Sequence, residues 1–335
     1  MTNLRQLAKQ AISRYYVASG ATTLKEKILN RQRNQAFRIF AYHRITKVIS
    51  APNPFSQSMN VSPTDFQQQI DFLTQRFSIL SLKEIAGRIE QQKPISPKTV
   101  AITFDDGYLD IFTNAFPILR ERNLPAMIFL ATDYISTNRM FWWDELEARI
   151  EGIDFSDVRK WASHYFSVKV SHSKNHFYHN LVNRLSTMAA NQFEHFWEHF
   201  REEFPDILLD IYSHLSWKHI RLMKRNNIHF GSHTKSHAIL TRTPKNNWAE
   251  ELAGSKQILE TNLRTKVDWL AYPRGSYHDV GKEAVIAAKK AGYKWGVMNE
   301  SGVNHPRSDR FRLRRIPVYG HESFDTFLCR CYGLL

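Results

Sequence analysis

Short apolar runs alternate with helical stretches along most of this 335-residue sequence, and that alternation restricts the fold more than any other feature. Strand-like runs fall at 37–45, 77–80, 100–104, 126–130, 228–233, 267–272, 293–298 and 311–319. Helical patterns separate them. Ser62 and Pro63 form a helix start, with Phe66, Ile70 and Leu73 at helical spacing on one face. Further helices are expected over 82–91, 115–123, 247–262 and 282–291. Strands joined through helices run parallel, so the expected class is α/β, with a parallel sheet or barrel.

The alternation has two interruptions. Residues 1–35 read as a basic helical segment, broken at Gly20-Ala21-Thr22-Thr23, ahead of a main domain at 36–335. Residues from about 141 to 228 read as a helical insertion, in which Phe193, Phe196, Trp197 and Phe200 recur at helical spacing and should bury a helix face. Nine of the fifteen histidines lie between His164 and His229 without ligand spacing, which suggests surface or capping roles. A loop is expected at Asn53-Pro54.

The net charge of +14 points to an anionic neighbour, either an acidic glycan, nucleic acid or anionic lipid. No basic repeat or aromatic RNA-binding signature accompanies it, so specific nucleic-acid binding is not expected. Cys329 and Cys331 are the sole cysteines, and two apart on a strand they would share a face without easy bridging. The apolar residues near the N-terminus are interrupted by Arg5, Lys9 and Arg14, and no run is long enough to span a bilayer. The expected address is cytoplasmic, peripheral to an anionic membrane surface.

The run at 100–104 leads straight into Asp105 and Asp106, followed by Gly107, which frees the backbone to turn close to a ligand. Adjacent carboxylates in different environments can divide labour, one binding a cation and one moving a proton. His233 and His237 stand four apart, and on a helical turn both imidazoles would face one cation. Two imidazoles and a carboxylate suit zinc with a position left open for water.

With these residues in place the sequence resembles the polysaccharide deacetylases, the NodB-homology carbohydrate esterases. Thr103-Phe104-Asp105-Asp106-Gly107 matches their first motif and His233-Thr234-Lys235-Ser236-His237 their second. Ala271-Tyr272-Pro273-Arg274-Gly275 resembles the third in part, with Ala271 where the family often has arginine and Arg274 where it often has an aromatic residue. The resemblance implies a distorted (β/α) barrel of the NodB-homology type, with Asp105 as general base. It makes Asp106, His233 and His237 ligands of a divalent metal: zinc, cobalt or nickel. It also implies a backbone N–H near Tyr108 for the oxyanion, and a groove walled by Tyr272, Pro273 and Arg274. A permuted subgroup resembling the biofilm-glucosamine deacetylases draws its acid histidine from an N-terminal strand, which implies His43, with His321 in reserve.

The implied activity is removal of an N-acetyl group from an amino sugar in a glycan or lipid-linked saccharide. A deformylase or other N-deacylase on the same fold, and a glycan-binding protein without turnover, are the alternatives.

Overall fold

The computed structural model describes residues 2–31, 35–46, 58–151, 153–166, 173–204 and 213–335. The loop expected at Asn53-Pro54 lies outside them. The strands are β1 (Phe37–Tyr42), β2 (Arg44–Ile45), β3 (Asn60–Val61), β4 (Ser78–Ile79), β5 (Thr99–Phe104), β6 (Ala126–Leu130), β7 (Ile228–Ser232), β8 (Trp269–Ala271), β9 (Trp295–Val297) and β10 (Ile316–Pro317). Among the described residues eight of them form one sheet in the order β10-β1-β5-β6-β7-β8-β9, with β4 beside the start of β5. Every pairing in it is parallel, as the alternation of strands and helices requires.

The helices are α1 (Thr2–Ala18), α2 (Ala21–Arg31), α3 (Pro63–Arg76), α4 (Leu82–Glu90), α5 (Phe116–Glu121), α6 (Trp142–Glu151), α7 (Phe155–Tyr165), α8 (Lys174–Leu185), α9 (Ala190–Glu203), α10 (Trp217–Lys224), α11 (Ser255–Leu263), α12 (Lys282–Lys290) and α13 (Phe324–Tyr332). Ser62 caps α3 by accepting from the Asp65 N–H, and Pro63 opens its first turn. Phe66, Ile70 and Leu73 are buried against the sheet.

Side chains alternate across a strand, and here the two faces enclose different cores. Phe40, Tyr42, Val100, Ile102, Phe104, Ile128 and Leu270 face outward into the layer shared with the helices. Phe37, Ile39, Ala101, Met127, Phe129, Trp269, Trp295 and Leu313 form the interior cluster. Gly231 leaves room inside for Phe129, since a Cβ there would come within 2.6 Å of that ring. The inward register continues past the strand ends. From Ile39 it reaches His43, from Ala101 it reaches Asp105, from Gly231 it reaches His233, and from Leu313 it reaches Arg315.

The expected strand over 311–319 is divided because its two halves pair differently. Leu313 bridges to Val297 of β9, while 316–317 pair with β1, so this segment touches both edges of the curled sheet. Between β6 and β7, helices α6 to α9 bury their own aromatic cluster, including Phe196, Trp197 and Phe200. Helix α10 instead sends Ile220 and Met223 into the main core, and so belongs to the layer around the sheet.

Cys329 and Cys331 lie on α13, not on a strand. Ser323 caps that helix through the Thr326 N–H, and both thiols are buried and free. Two apart on a helix, they point in different directions: Cys329 toward the Ser13 carbonyl, and Cys331 into the main core.

Candidate active site

Strand β5 ends at Phe104, and the chain then turns sharply. Asp106 and Gly107 both take left-handed conformations, with φ of 72° and 82°. A Cβ on Gly107 would press on the tip of Leu130 at 2.6 Å, and at a φ of 82° a side chain would be strained whatever the space. Ending the strand releases the two carboxylates from strict alternation, and both enter the same buried site.

They meet different partners. Arg315, fully buried, clamps Asp105 with two parallel bonds of 2.6 Å, Nη1 to Oδ1 and Nη2 to Oδ2. Its Nε donates to the Met298 carbonyl at 2.8 Å, and Nη1 also reaches Thr103 Oγ1. Burial alone would raise the Asp105 pKa, but Arg315, then His233, outweigh it and hold the carboxyl well below its usual range. Asp106 Oδ1 is buried without a hydrogen-bond partner. Burial, then the neighbouring charges of Asp105 and Asp144, push the Asp106 pKa well upward.

His233 and His237 converge by a route the spacing did not indicate. Residues 233–239 form a loop, not a helical turn, and Thr234 and His237 both have φ of 63°. Glu251 ties that loop down by accepting from the backbone N–H groups of Lys235 and Ser236, at 3.0 and 2.9 Å, and from Ser236 Oγ. Thr234 Oγ1 accepts from the Ala238 N–H, and Ser255 Oγ donates to the Thr234 carbonyl. Phe141 and Trp143 set their rings against His237 at 5.4 and 4.8 Å.

The donor set fits a divalent cation. One atom each from Asp106, His233 and His237 lies within 4.8 Å of the others, and both imidazole Nε2 atoms are 3.5 Å from Asp106 Oδ1. The Ala271 carbonyl, 2.8 Å from His233 Nδ1, can only accept, so the proton sits on Nδ1 and Nε2 is bare toward Asp106. Burial lowers the pKa of both histidines, which favours the neutral form that ligates. The unpartnered Asp106 oxygen is what a cation would satisfy.

His43 faces the same site from the end of β1, where Asp105, Arg315 and His233 act on it. Burial lowers its pKa to about 4, partly opposed by Asp105. It is therefore neutral in the resting protein, not poised near neutrality as an ordinary histidine is. His321 lies elsewhere: it stacks on Tyr319, and its carbonyl accepts from Gln6 and Gln10 of α1.

The expected groove residues separate. The Tyr108 ring is fully buried, with its hydroxyl donating to Asp144 at 2.6 Å and accepting from Trp143 Nε1 at 3.0 Å. The bridge between Tyr108 and His214 uses the Leu109 N–H and the Gly107 carbonyl, so the Tyr108 N–H takes no part in it. Tyr272, 2% exposed, turns its ring into the core beside Gly296 and is no wall of a groove. Pro273 is buried, while Arg274 is exposed and donates to the Ser186 carbonyl after α8.

Arg315, Glu251 and Asp144 were not among the expected site residues. Arg315 had a signal: Phe311, Leu313 and Arg315 share one face of an apolar run, which places a charge toward the interior. His214 also departs from expectation. It is buried, not on the surface, stacked 5.2 Å from Tyr108 and packed on Tyr134 and Phe141. His219 does cap, at the start of α10.

Fold and site together define a hydrolase built on a parallel barrel, with a carboxylate–imidazole cradle beside a clamped carboxylate. The sequence profile of the polysaccharide deacetylase family matches residues 92–296, and the chain belongs to that family, whose members act on the amide bonds of N-acetyl groups. It is 26% identical over 314 residues to the poly-beta-1,6-N-acetyl-D-glucosamine N-deacetylase of Staphylococcus epidermidis, covering 91% of this chain and 86% of that one. The Streptococcus pyogenes deacetylase PplD, solved in complex with acetate, shares the fold with a TM-score of 0.58 at 19% identity, over 88% of this chain and 98% of that one. IcaB from Ammonifex degensii also matches with a TM-score of 0.58, at 17% identity over 90% and 99% of the two chains. No described helix is long and apolar enough to cross a membrane.

Proposed function

We propose that this protein is a metal-dependent N-deacetylase acting on an N-acetylated amino sugar within a glycan or a lipid-linked saccharide. One observation carries this reading: of two adjacent buried carboxylates, one is closed by an arginine and the other keeps an unpartnered oxygen facing two imidazole nitrogens. Asp106, His233 and His237 would hold zinc, or cobalt or nickel in its place. Such an ion, when bound, polarises the acyl carbonyl and acidifies water.

The remaining work falls to the chain's own groups. Hydrolysis adds the water oxygen to the acyl carbon, breaks the carbon–nitrogen bond, and yields acetate and a protonated amine. Asp105 takes the first proton from water. The Arg315 clamp fixes its position; each carboxylate oxygen accepts one of the two bonds and keeps a further lone pair for water. His43 supplies the proton that lets the amine depart. Because it starts neutral, it must first take up a proton from solvent as negative charge builds on the substrate beside it. Asp105 returns the water proton to solvent at the end of the cycle, so the protons balance. The backbone N–H of Tyr108 is the candidate donor to that charge. Arg274, exposed on the loop after β8 behind the buried Pro273, would give a sugar polymer a cationic border.

The clamp on Asp105 argues for turnover over glycan binding alone. A binding protein has no need of a buried guanidinium holding one carboxylate in its ionised form. Mass spectrometry of N-acetylated glycans incubated with zinc-loaded protein tests the reading. Loss of one acetyl mass is the expected result; loss of a formyl group from formylated substrates alone would transfer the reading to a deformylase.

A further inference from the structure

Helix α1 packs inside out. It meets α13 and the loop before it through polar side chains: Ser13 Oγ lies 3.1 Å from Thr326 Oγ1 on the helix, and Lys9 Nζ lies 2.6 Å from Glu322 on the loop. Its opposite face is apolar and open, with Leu7 60%, Ile12 45% and Tyr15 69% exposed, and Ala8 and Ala11 exposed between them. Helix α2 repeats the pattern, burying Thr22 and Leu29 while Leu24 and Ile28 stand exposed at 61% and 40%. These two helices carry five of the nine large exposed hydrophobic side chains among the described residues, which is no scatter of single residues.

The same segment is strongly basic. Residues 1–35 hold seven lysines and arginines against one acid, Glu26. That acid is itself engaged, 3.3 Å from Lys98 and 3.5 Å from Arg76. Arg14 is exposed beside the apolar face of α1, and Lys27 beside Leu24 and Ile28 on α2.

We infer that the outer faces of α1 and α2 form a docking surface for an anionic lipid bilayer. A bilayer supplies an apolar layer for Leu7, Ile12, Tyr15, Leu24 and Ile28, and headgroup charge for Arg14 and Lys27. A second copy of this chain would offer the apolar contact but bring together two faces of the same positive charge. The surface also lies beside the catalytic rim. Gln6 and Lys9 contact His321 and Glu322, on the loop that follows β10 at the strand ends where Asp105 and His233 sit. A saccharide on a lipid carrier would be presented to that rim. The surface itself does not depend on the deacetylase reading.

Sedimentation of the full chain with phosphatidylcholine vesicles, alone or mixed with phosphatidylglycerol, tests the inference. Binding is expected on the mixed vesicles and should weaken with salt. The Leu7→Glu/Ile12→Glu double variant should lose about tenfold or more in partitioning, with unchanged circular dichroism and unchanged hydrolysis of a soluble aryl acetate. Arg14→Glu/Lys27→Glu should lose about tenfold or more at low salt by the charge route. Absence of binding to the mixed vesicles overturns the inference, and so does binding by either variant that equals the parent's. A dimer in sedimentation velocity that Leu7→Glu/Ile12→Glu disperses, without vesicle binding by the parent, assigns the face to self-association and also overturns it.

Discussion

The loop after β5 and the loop after β7 bring the same kinds of group to one place by opposite means. The β7 loop is held from close by, since its ties come from Thr234 within it and from Glu251 and Ser255 a few turns on. The β5 loop is held from far away. Arg315 reaches Asp105 across 210 residues, and Tyr108 is fixed by Asp144 and Trp143 at the start of the insertion. Local ties can set ligand geometry inside one motif. Setting the charge state of Asp105 took a strong cation, and the cation came from the residue that precedes the last strand.

The two loops should therefore fail differently. The largest effect is expected from Asp105→Asn, which should lower kcat by up to about 10⁴-fold while zinc content, measured by elemental analysis, stays the same. An emptied site in that variant would mean that Asp105 shares the ligand role. Next comes Arg315→Met, which strands a buried carboxylate. It should cost about 3–5 kcal/mol in urea unfolding, and Asp105→Asn/Arg315→Met should recover part of that loss. Strictly additive losses would remove the clamp from the account.

His43→Ala should lower kcat on an N-acetyl sugar by about a hundredfold. An activated aryl acetate, whose leaving group needs no proton, should be spared, and equal losses on both substrates would exclude His43 as the acid. Glu251→Gln should act on the other loop and weaken zinc affinity by about tenfold, with stability little changed. If competition with a chelator shows no change, the loop holds itself without Glu251.

The smallest effect concerns His214, against Tyr108. Burial, then Arg44, lowers its pKa to about 3. The unfolded chain binds this proton near pH 6.5 and the folded chain only near 3, so stability falls as pH drops through that interval. Between pH 7 and about pH 4.5 His214 should account for about 2 kcal/mol of loss, which His214→Phe should remove. Identical losses in the two proteins, from urea midpoints at both pH values, would show that His214 carries no such linkage.

Much of the fold was legible because strand and helix periods differ. The run at 126–130 coincides with β6, and Ser62 caps α3 where its hydroxyl and the following proline require. The site was legible where it is local: the aspartate pair and the two histidines lie within short motifs. The histidine loop was misjudged because spacing of four fits a helix, whereas two left-handed residues produce the same convergence. Arg315 went unnoticed for another reason. Its partner is chosen by strand order around the sheet, which no local window contains. Tyr272 illustrates the reverse error, a residue inside a motif whose ring the core claims.

The segment joining β9 to β1 has a consequence for how the chain matures. A nascent polypeptide extended only to residue 300 already carries the aspartate pair and both histidines, but not Arg315. Until the C-terminal segment has inserted between β9 and β1, Asp105 lacks its strongest counter-ion, and burial pushes it toward the protonated form. On the roles proposed for these residues, a chain halted before that step would hold Asp106, His233 and His237 but would lack the cation that keeps Asp105 ionised.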